Sequence, residues 1–246
     1  MSKIITICQN KGGVGKTTIT ANLGFLFSEK KKVLLIDTDS QANLSQLFNI
    51  YEKENILEKF FNSELPPIAI NKNLSIIPNN LTFDKWKYGA VNIRNSHYFL
   101  SQYIEKIKEN YDYILIDTPP SLDISLEMSV LCSDYILIVS DTGIFTLEGL
   151  ENVIDRIKDI KNNDITKKCQ VEILGIIINQ FDNTKISKEF FDNLNENYNV
   201  FKSKISRNVA IKESQVLKKS IFEYDKNCQA NKDLKSLYKE LKGVLK

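Results

Sequence analysis

Residues Lys11 to Thr18 read KGGVGKTT, between the apolar run Ile4 to Cys8 and a helix-like stretch from Ile19 to Ser28. Strand, glycine loop and helix in that order predict a nucleotide-phosphate site at the strand's end. Gly12, Gly13 and Gly15 lack Cβ, so the chain can curl with its N–H groups, those of Val14 and Thr18 included, turned towards an anion. The helix starting near Lys16 adds unpaired first-turn N–H groups and the positive end of its dipole. Lys16 would reach the β- and γ-phosphates, and Thr17 would offer its hydroxyl to Mg2+.

Two further apolar runs end in acids. Val33-Leu34-Leu35-Ile36 leads into Asp37-Thr38-Asp39-Ser40-Gln41, and Tyr113-Ile114-Leu115-Ile116 leads into Asp117-Thr118-Pro119-Pro120-Ser121. Such runs suit buried parallel strands. Carboxylates at the strands' C-terminal ends face the ligand crevice of an open α/β sheet. Asp117 has the form of a Walker B acid, holding Mg2+ directly or through a water. Phosphoryl transfer asks a protein mainly to position groups and neutralise charge, so lysines, one Mg2+ and a water-orienting carboxylate suffice. The only histidine, His97, lies outside every motif.

Further candidate strands fall at Leu74–Pro78, Asp134–Ser140 and Val171–Asn179, separated by helix-length segments at Asn95–Glu109, Thr146–Ile160 and Ser187–Asn197. This alternation predicts an α/β fold, a mostly parallel twisted sheet with helices on both faces. With 246 residues, 42% of them hydrophobic, the chain can bury a full core as one domain over 1–246. Cys8, Cys132, Cys169 and Cys228 are scattered without a C-x-x-C pair, which argues for reduced thiols in a cytoplasmic protein and against a zinc or iron–sulfur centre. Neither a signal peptide nor a membrane-length apolar run is expected.

The loop departs from the general G-x-x-x-x-G-K-[ST] pattern: Asn10 takes the place of the first glycine, and a second lysine, Lys11, follows. The string resembles the deviant Walker A motif of the ParA/MinD superfamily of P-loop ATPases. The D-x-D-x-Q and D-x-P-P-S strings, Thr146-Leu147-Glu148-Gly149 and Ser206-Arg207-Asn208-Val209 follow in the family's order. The resemblance implies an ATP- and Mg2+-dependent ATPase, slow and partner-stimulated, that forms a homodimer with ATP. It gives Lys11 a contact with nucleotide across the dimer, Asp39 the attacking water, and Asp37 a supporting place in the metal shell. Asn179 and Ser206 to Asn208 would lie on the adenine side, although Ser206 stands where many relatives have proline.

Within the superfamily the chain looks most like small Soj-type ParA partition proteins, without an N-terminal helix-turn-helix extension. That likeness implies non-specific double-stranded DNA as cargo, a ParB-like centromere-binding partner, a cytoplasmic, nucleoid-associated location and no membrane partner. DNA binding needs a basic surface that releases counterions. Lys185, Lys188, Lys202, Lys204, Arg207, Lys212, Lys218 and Lys219 make the C-terminal part basic despite a net charge of only +2. Two arginines that relatives use on DNA are replaced: Asp182-Asn183-Thr184-Lys185 stands for D-x-R-T, and Arg207-Asn208-Val209-Ala210 for R-N-V-R. Lys185 and Lys212 offer point charges nearby, without arginine's fork.

Two alternatives remain open at this stage. A MinD-like protein would end in a basic amphipathic helix lying on a membrane, and Leu234, Leu237, Tyr238, Leu241 and Leu245 form an apolar stripe with lysines interspersed. Docking of that helix on its own sheet predicts the same stripe. A metabolite kinase or ligase would need an acceptor-binding segment, for which the stretch from Tyr51 to Asn95 has room.

Overall fold

Each β-rich run becomes a strand, and the runs assemble in an order the chain does not follow. The computed structural model describes residues 2–50, 66–90, 92–143, 146–162 and 169–245. Its strands are β1 (Lys3–Cys8), β2 (Val33–Asp37), β3 (Ile68–Ala69), β4 (Leu74–Ile77), β5 (Tyr113–Asp117), β6 (Tyr135–Ser140) and β7 (Glu172–Ile178). They form one sheet in the order β3-β4-β2-β5-β1-β6-β7. All neighbours pair parallel except β3, a two-residue strand antiparallel to β4 at the edge.

The described helices are α1 (Lys16–Ser28), α2 (Asn43–Leu47), α3 (Phe83–Ala90), α4 (Phe99–Ile107), α5 (Ile124–Cys132), α6 (Thr146–Asn162), α7 (Lys185–Asn197), α8 (Val209–Val216), α9 (Ile221–Tyr224) and α10 (Gln229–Val244). Alternate strand residues serve opposite faces, as the two-residue period requires. Val33 and Leu35 of β2 pack with α1 and the C-terminal helices, whereas Leu34 and Ile36 pack with α3 and α4. A third cluster joins β6 and β7 to α5, α6 and α7. Helices thus cover both faces, and the central strands carry apolar side chains on each.

The predicted boundaries shift by one or two residues, and Asn95–Glu109 resolves into α4 flanked by single 3-10 turns. Helices α3, α8 and α9 were not expected from periodicity, being short and, for α8 and α9, joined by a left-handed turn at Lys218. The apolar stripe of α10 is used internally. Leu234, Leu237 and Leu241 are fully buried, and the Tyr238 ring meets Phe27 of α1 edge-on at 4.9 Å. Among the described residues no helix is long and apolar enough to cross a membrane. Part of the variable stretch, residues 51–65, lies outside the described residues.

Candidate active site

The sheet register brings the acids together. β5 lies between β1 and β2, with Ile7 opposite Asp117 on one side and Asp37 opposite Asp117 on the other. The glycine loop leaves the end of β1 above both acids. Like charges facing each other across strands repel, and both are fully buried. Burial pushes Asp37 up to about 7 and Asp117 up to about 8, the charge of Asp39 adding to the first and those of Asp37 and Asp39 to the second, against the hydrogen bonds of Ser45 and Thr17 and the charge of Lys16.

The loop is shaped by two left-handed glycines, Gly13 at φ 77° and Gly15 at φ 96°. Gly15 is the N-cap of α1 and offers no side-chain cap, nor does the first turn carry an acid. Helices α5, α7 and α8, by contrast, are capped by the side chains of Asp123, Thr184 and Asn208. The N–H groups at the start of α1 are therefore left for a ligand, and the dipole there favours an anion. Asn179 Nδ2 donates to the Val14 carbonyl at 2.7 Å and Gln180 Nε2 to the Gly13 carbonyl at 2.6 Å, which pins the loop from the end of β7.

Lys16 is 6% exposed, and its ammonium reaches the Lys11 carbonyl at 3.4 Å. Burial lowers its pKa, opposed by the charge of Asp117. Thr17 Oγ1 donates to Asp117 at 2.7 Å and Thr20 Oγ1 to its other oxygen at 3.3 Å. Asp37 instead holds the segment that follows it: its oxygens accept from Ser45 N (2.9 Å), Ser45 Oγ (2.7 Å) and Asp39 N (3.1 Å). Asp39 accepts from Gln41 N at 2.9 Å and borders the cleft over the loop.

That cleft measures 590 Å³ and is bordered by Gly12, Gly13, Gly15, Lys16, Thr17, Thr18, Asp39 and Pro120, with residues of α2 and Lys218 beyond. A second cavity of 230 Å³ adjoins it through Gly13, Gly15 and Thr18, and is bordered by Asn179, Ser206, Arg207, Asn208 and Lys212. Together they offer an anion end and a neighbouring recess of ligand size. The residues fit a hard divalent cation: two buried carboxylates face one another beside a hydroxyl, with the Lys16 ammonium nearby. Among the described residues no group of three or more acid, histidine or cysteine side chains could hold a metal by itself. A cation completed by phosphate oxygens fits that donor set.

The expected cations do not form one stripe. Lys185 and Lys188 lie on exposed α7, Lys185 within 3.6 Å of Glu189. Arg207 and Lys212 border the smaller cavity, and Lys218 borders the larger one while bonded to Asn49. Lys219 is exposed in the connection between α8 and α9. Lys204 turns inward, its ammonium 3.5 Å from the Phe191 ring centre and 4.9 Å from that of Phe181. Lys11 points away from the cleft to Asp141, at 2.8 Å. Residues not singled out from the sequence also build the site: Ser45, Gln180, Asp141 and Gln215, whose Nε2 donates to Thr18 Oγ1 at 2.8 Å. Asp141 follows β6 directly and Gln180 lies two residues past the end of β7, so the strand-end rule that marked Asp37 and Asp117 points to them too.

A glycine loop feeding an uncapped helix, with a buried lysine and strand-end acids on a parallel sheet, defines a P-loop nucleoside triphosphatase. A family model described as an AAA domain matches residues 2–173. The chain is 30% identical to the sporulation initiation inhibitor protein Soj of Bacillus subtilis, with 98% of each chain covered. It is also 30% identical to a virulence plasmid ParA family protein of Chlamydia psittaci, over 99% of this chain and 95% of that one. Its fold superposes on a putative plasmid partition protein of Borrelia burgdorferi bound to AMPPNP, with TM-score 0.85, 26% identity and full coverage of both chains. The chain belongs to the ParA/MinD-type P-loop ATPases.

Proposed function

We propose that this chain is a ParA-type partition ATPase forming a single domain over residues 1–246. ATP and Mg2+ bring two copies together, the dimer holds duplex DNA without sequence preference, and a ParB-like partner stimulates hydrolysis and release. DNA couples to the cycle only if it binds the dimer better than the monomer. The observation that carries the reading is the uncapped start of α1 behind Gly13 and Gly15, with buried Lys16 beside the paired acids. The likeness to relatives named as Soj and plasmid ParA family proteins supports the partition role.

In this mechanism the loop N–H groups and Lys16 hold and neutralise the phosphates, while Asn179 and Ser206 to Asn208 border the recess for the base. Bound at Thr17 and Asp117, Mg2+ would draw charge off the phosphate oxygens. Asp39, at the cleft, orients the attacking water, and Asp37 keeps Asp39 in place through the turn to Ser45. Lys11 contributes to the partner's site. Lys185, Lys188, Arg207, Lys212, Lys218 and Lys219 are exposed and offer cations to DNA. The protein acts in the cytoplasm on the nucleoid. The buried stripe of α10 favours this reading over action at a membrane.

Retention on duplex DNA with ATP and Mg2+ across a salt series tests the assignment. Four phosphate contacts predict a loss of about 100-fold in affinity between 50 and 200 mM salt. Absence of retention at the lowest salt would overturn the DNA assignment.

A further inference from the structure

Lys11 is held by a site of its own. Its ammonium donates to both oxygens of Asp141, at 2.9 and 2.8 Å, and to Thr146 Oγ1 at 3.1 Å, which occupies all three of its protons. Thr146 also donates to Asp141, and the Gly143 N–H reaches the same carboxylate at 3.2 Å. Burial alone would raise Asp141, but these bonds, that of Lys11 foremost, hold its carboxyl below the usual range.

The surroundings are cut to fit. A Cβ on Gly143 would stand 2.9 Å from the Lys11 ammonium, and one on Gly149 would stand 2.7 Å from Asn10 Oδ1. Both side chains that open the glycine loop thus rest against the end of β6 and the start of α6 of their own chain. The Lys11 and Asp141 side chains are 34% and 21% exposed, so the pair lies where an incoming surface can compete for it.

A lysine with every proton engaged at home cannot also serve a phosphate in a second copy. We propose that Asp141 is a positioning residue for Lys11: it keeps the ammonium in its own chain and so raises the ATP concentration at which two copies associate. The proposal rests on the dimerising reading given above. Two such pairs must open for each dimer formed. A partly exposed pair is worth a factor of about 1.4 to five, so removing both strengthens association by about two- to 25-fold.

The test compares wild type, Asp141→Asn and Thr146→Val by two measurements. Reductive methylation of the nucleotide-free monomer, read by mass spectrometry, reports Lys11 reactivity against the exposed Lys185 of the same chain. Light scattering during an ATP titration with Mg2+ reports the midpoint of association. Wild-type Lys11 should react several-fold more slowly than Lys185, and Asp141→Asn should remove the protection and lower the midpoint by up to about fivefold, the square root of the gain in association because each dimer takes two ATP. Thr146→Val should move both in the same direction by less. Equal reactivity of Lys11 and Lys185 in the wild type, or an unchanged or raised midpoint in Asp141→Asn, overturns the proposal. A wild type that stays monomeric at saturating ATP overturns the dimerising reading and the coupling with it, whereas the methylation result still decides whether Asp141 holds Lys11.

Discussion

Alanine substitution at the three loop glycines separates what the fold requires from what the ligand requires. At Gly12 an added Cβ meets nothing within 4 Å, and the backbone is not left-handed. Gly13 has the same open space but a φ of +77°, which costs an L-residue about 1–2 kcal/mol. Gly15 combines a φ of +96° with a Cβ position 2.1 Å from Asn179 Nδ2. Asn179 is 3% exposed and donates to the Val14 carbonyl, so yielding breaks that bond and leaves buried polar groups unpaired, a further cost of about 1–3 kcal/mol. The expected order of destabilisation is therefore Gly12→Ala within about 0.5, Gly13→Ala about 1–2 and Gly15→Ala about 2–5 kcal/mol. Urea unfolding of the nucleotide-free protein measures this directly, and the melting temperature of Gly15→Ala should fall by about 10 °C for a domain of this size. Three values within 0.5 kcal/mol of one another would refute the reasoning, because they would mean that neither the left-handed backbone nor the Asn179 contact constrains the loop.

Three other outcomes follow from the same structure. Burial pushes Asp37 up to about 7 and Asp117 up to about 8, above the unfolded carboxylate range, so they favour the fold fully below about pH 4 and that contribution is lost progressively as pH rises to about 7 to 8. Melting of the nucleotide-free protein should accordingly fall between pH 5 and 8, with ATP and Mg2+ restoring the high-pH end; a melting temperature that rises over this range contradicts the burial of uncompensated acids. Lys11→Ala should abolish turnover and ATP-dependent dimers while retaining nucleotide affinity within about tenfold, since Lys16 and the loop N–H groups remain; wild-type turnover would remove Lys11 from the chemistry. Leu237→Ala, at a fully buried position on α10, should cost about 2–5 kcal/mol in unfolding experiments, and neither it nor the wild type should co-sediment with liposomes.

The sequence made the site more legible than its surroundings, for a physical reason. Phosphate binding needs particular residues at fixed spacing, so KGGVGKTT and the acids after two strands stand out in one dimension. Central parallel strands read equally well because they are apolar on both faces, as with Val33 to Ile36. Helices α3, α8 and α9 did not, because segments of four to eight residues carry too few turns for a period to show. The separate placements of Lys204, Arg207 and Lys218 were equally hidden: a run of cations marks charge in the chain, whereas aromatic rings and cavity rims distant in sequence decide where each ammonium points. The same holds for Lys11, whose partner Asp141 is 130 residues away. For the C-terminal stripe, the sequence left sheet docking and membrane contact open, and only the packing of α10 on α1 separates them.

In the proposed cycle ATP hydrolysis at this site switches the protein between one and two chains. Light scattering of the Asp39→Ala variant with ATP and Mg2+ tests this switch, because without the carboxylate proposed to orient water the ATP-bound assembly should persist. A stable species of twice the chain mass should form with ATP, fail to form with ADP, and outlast the wild-type assembly. A variant that binds ATP and remains at the mass of one chain would contradict it.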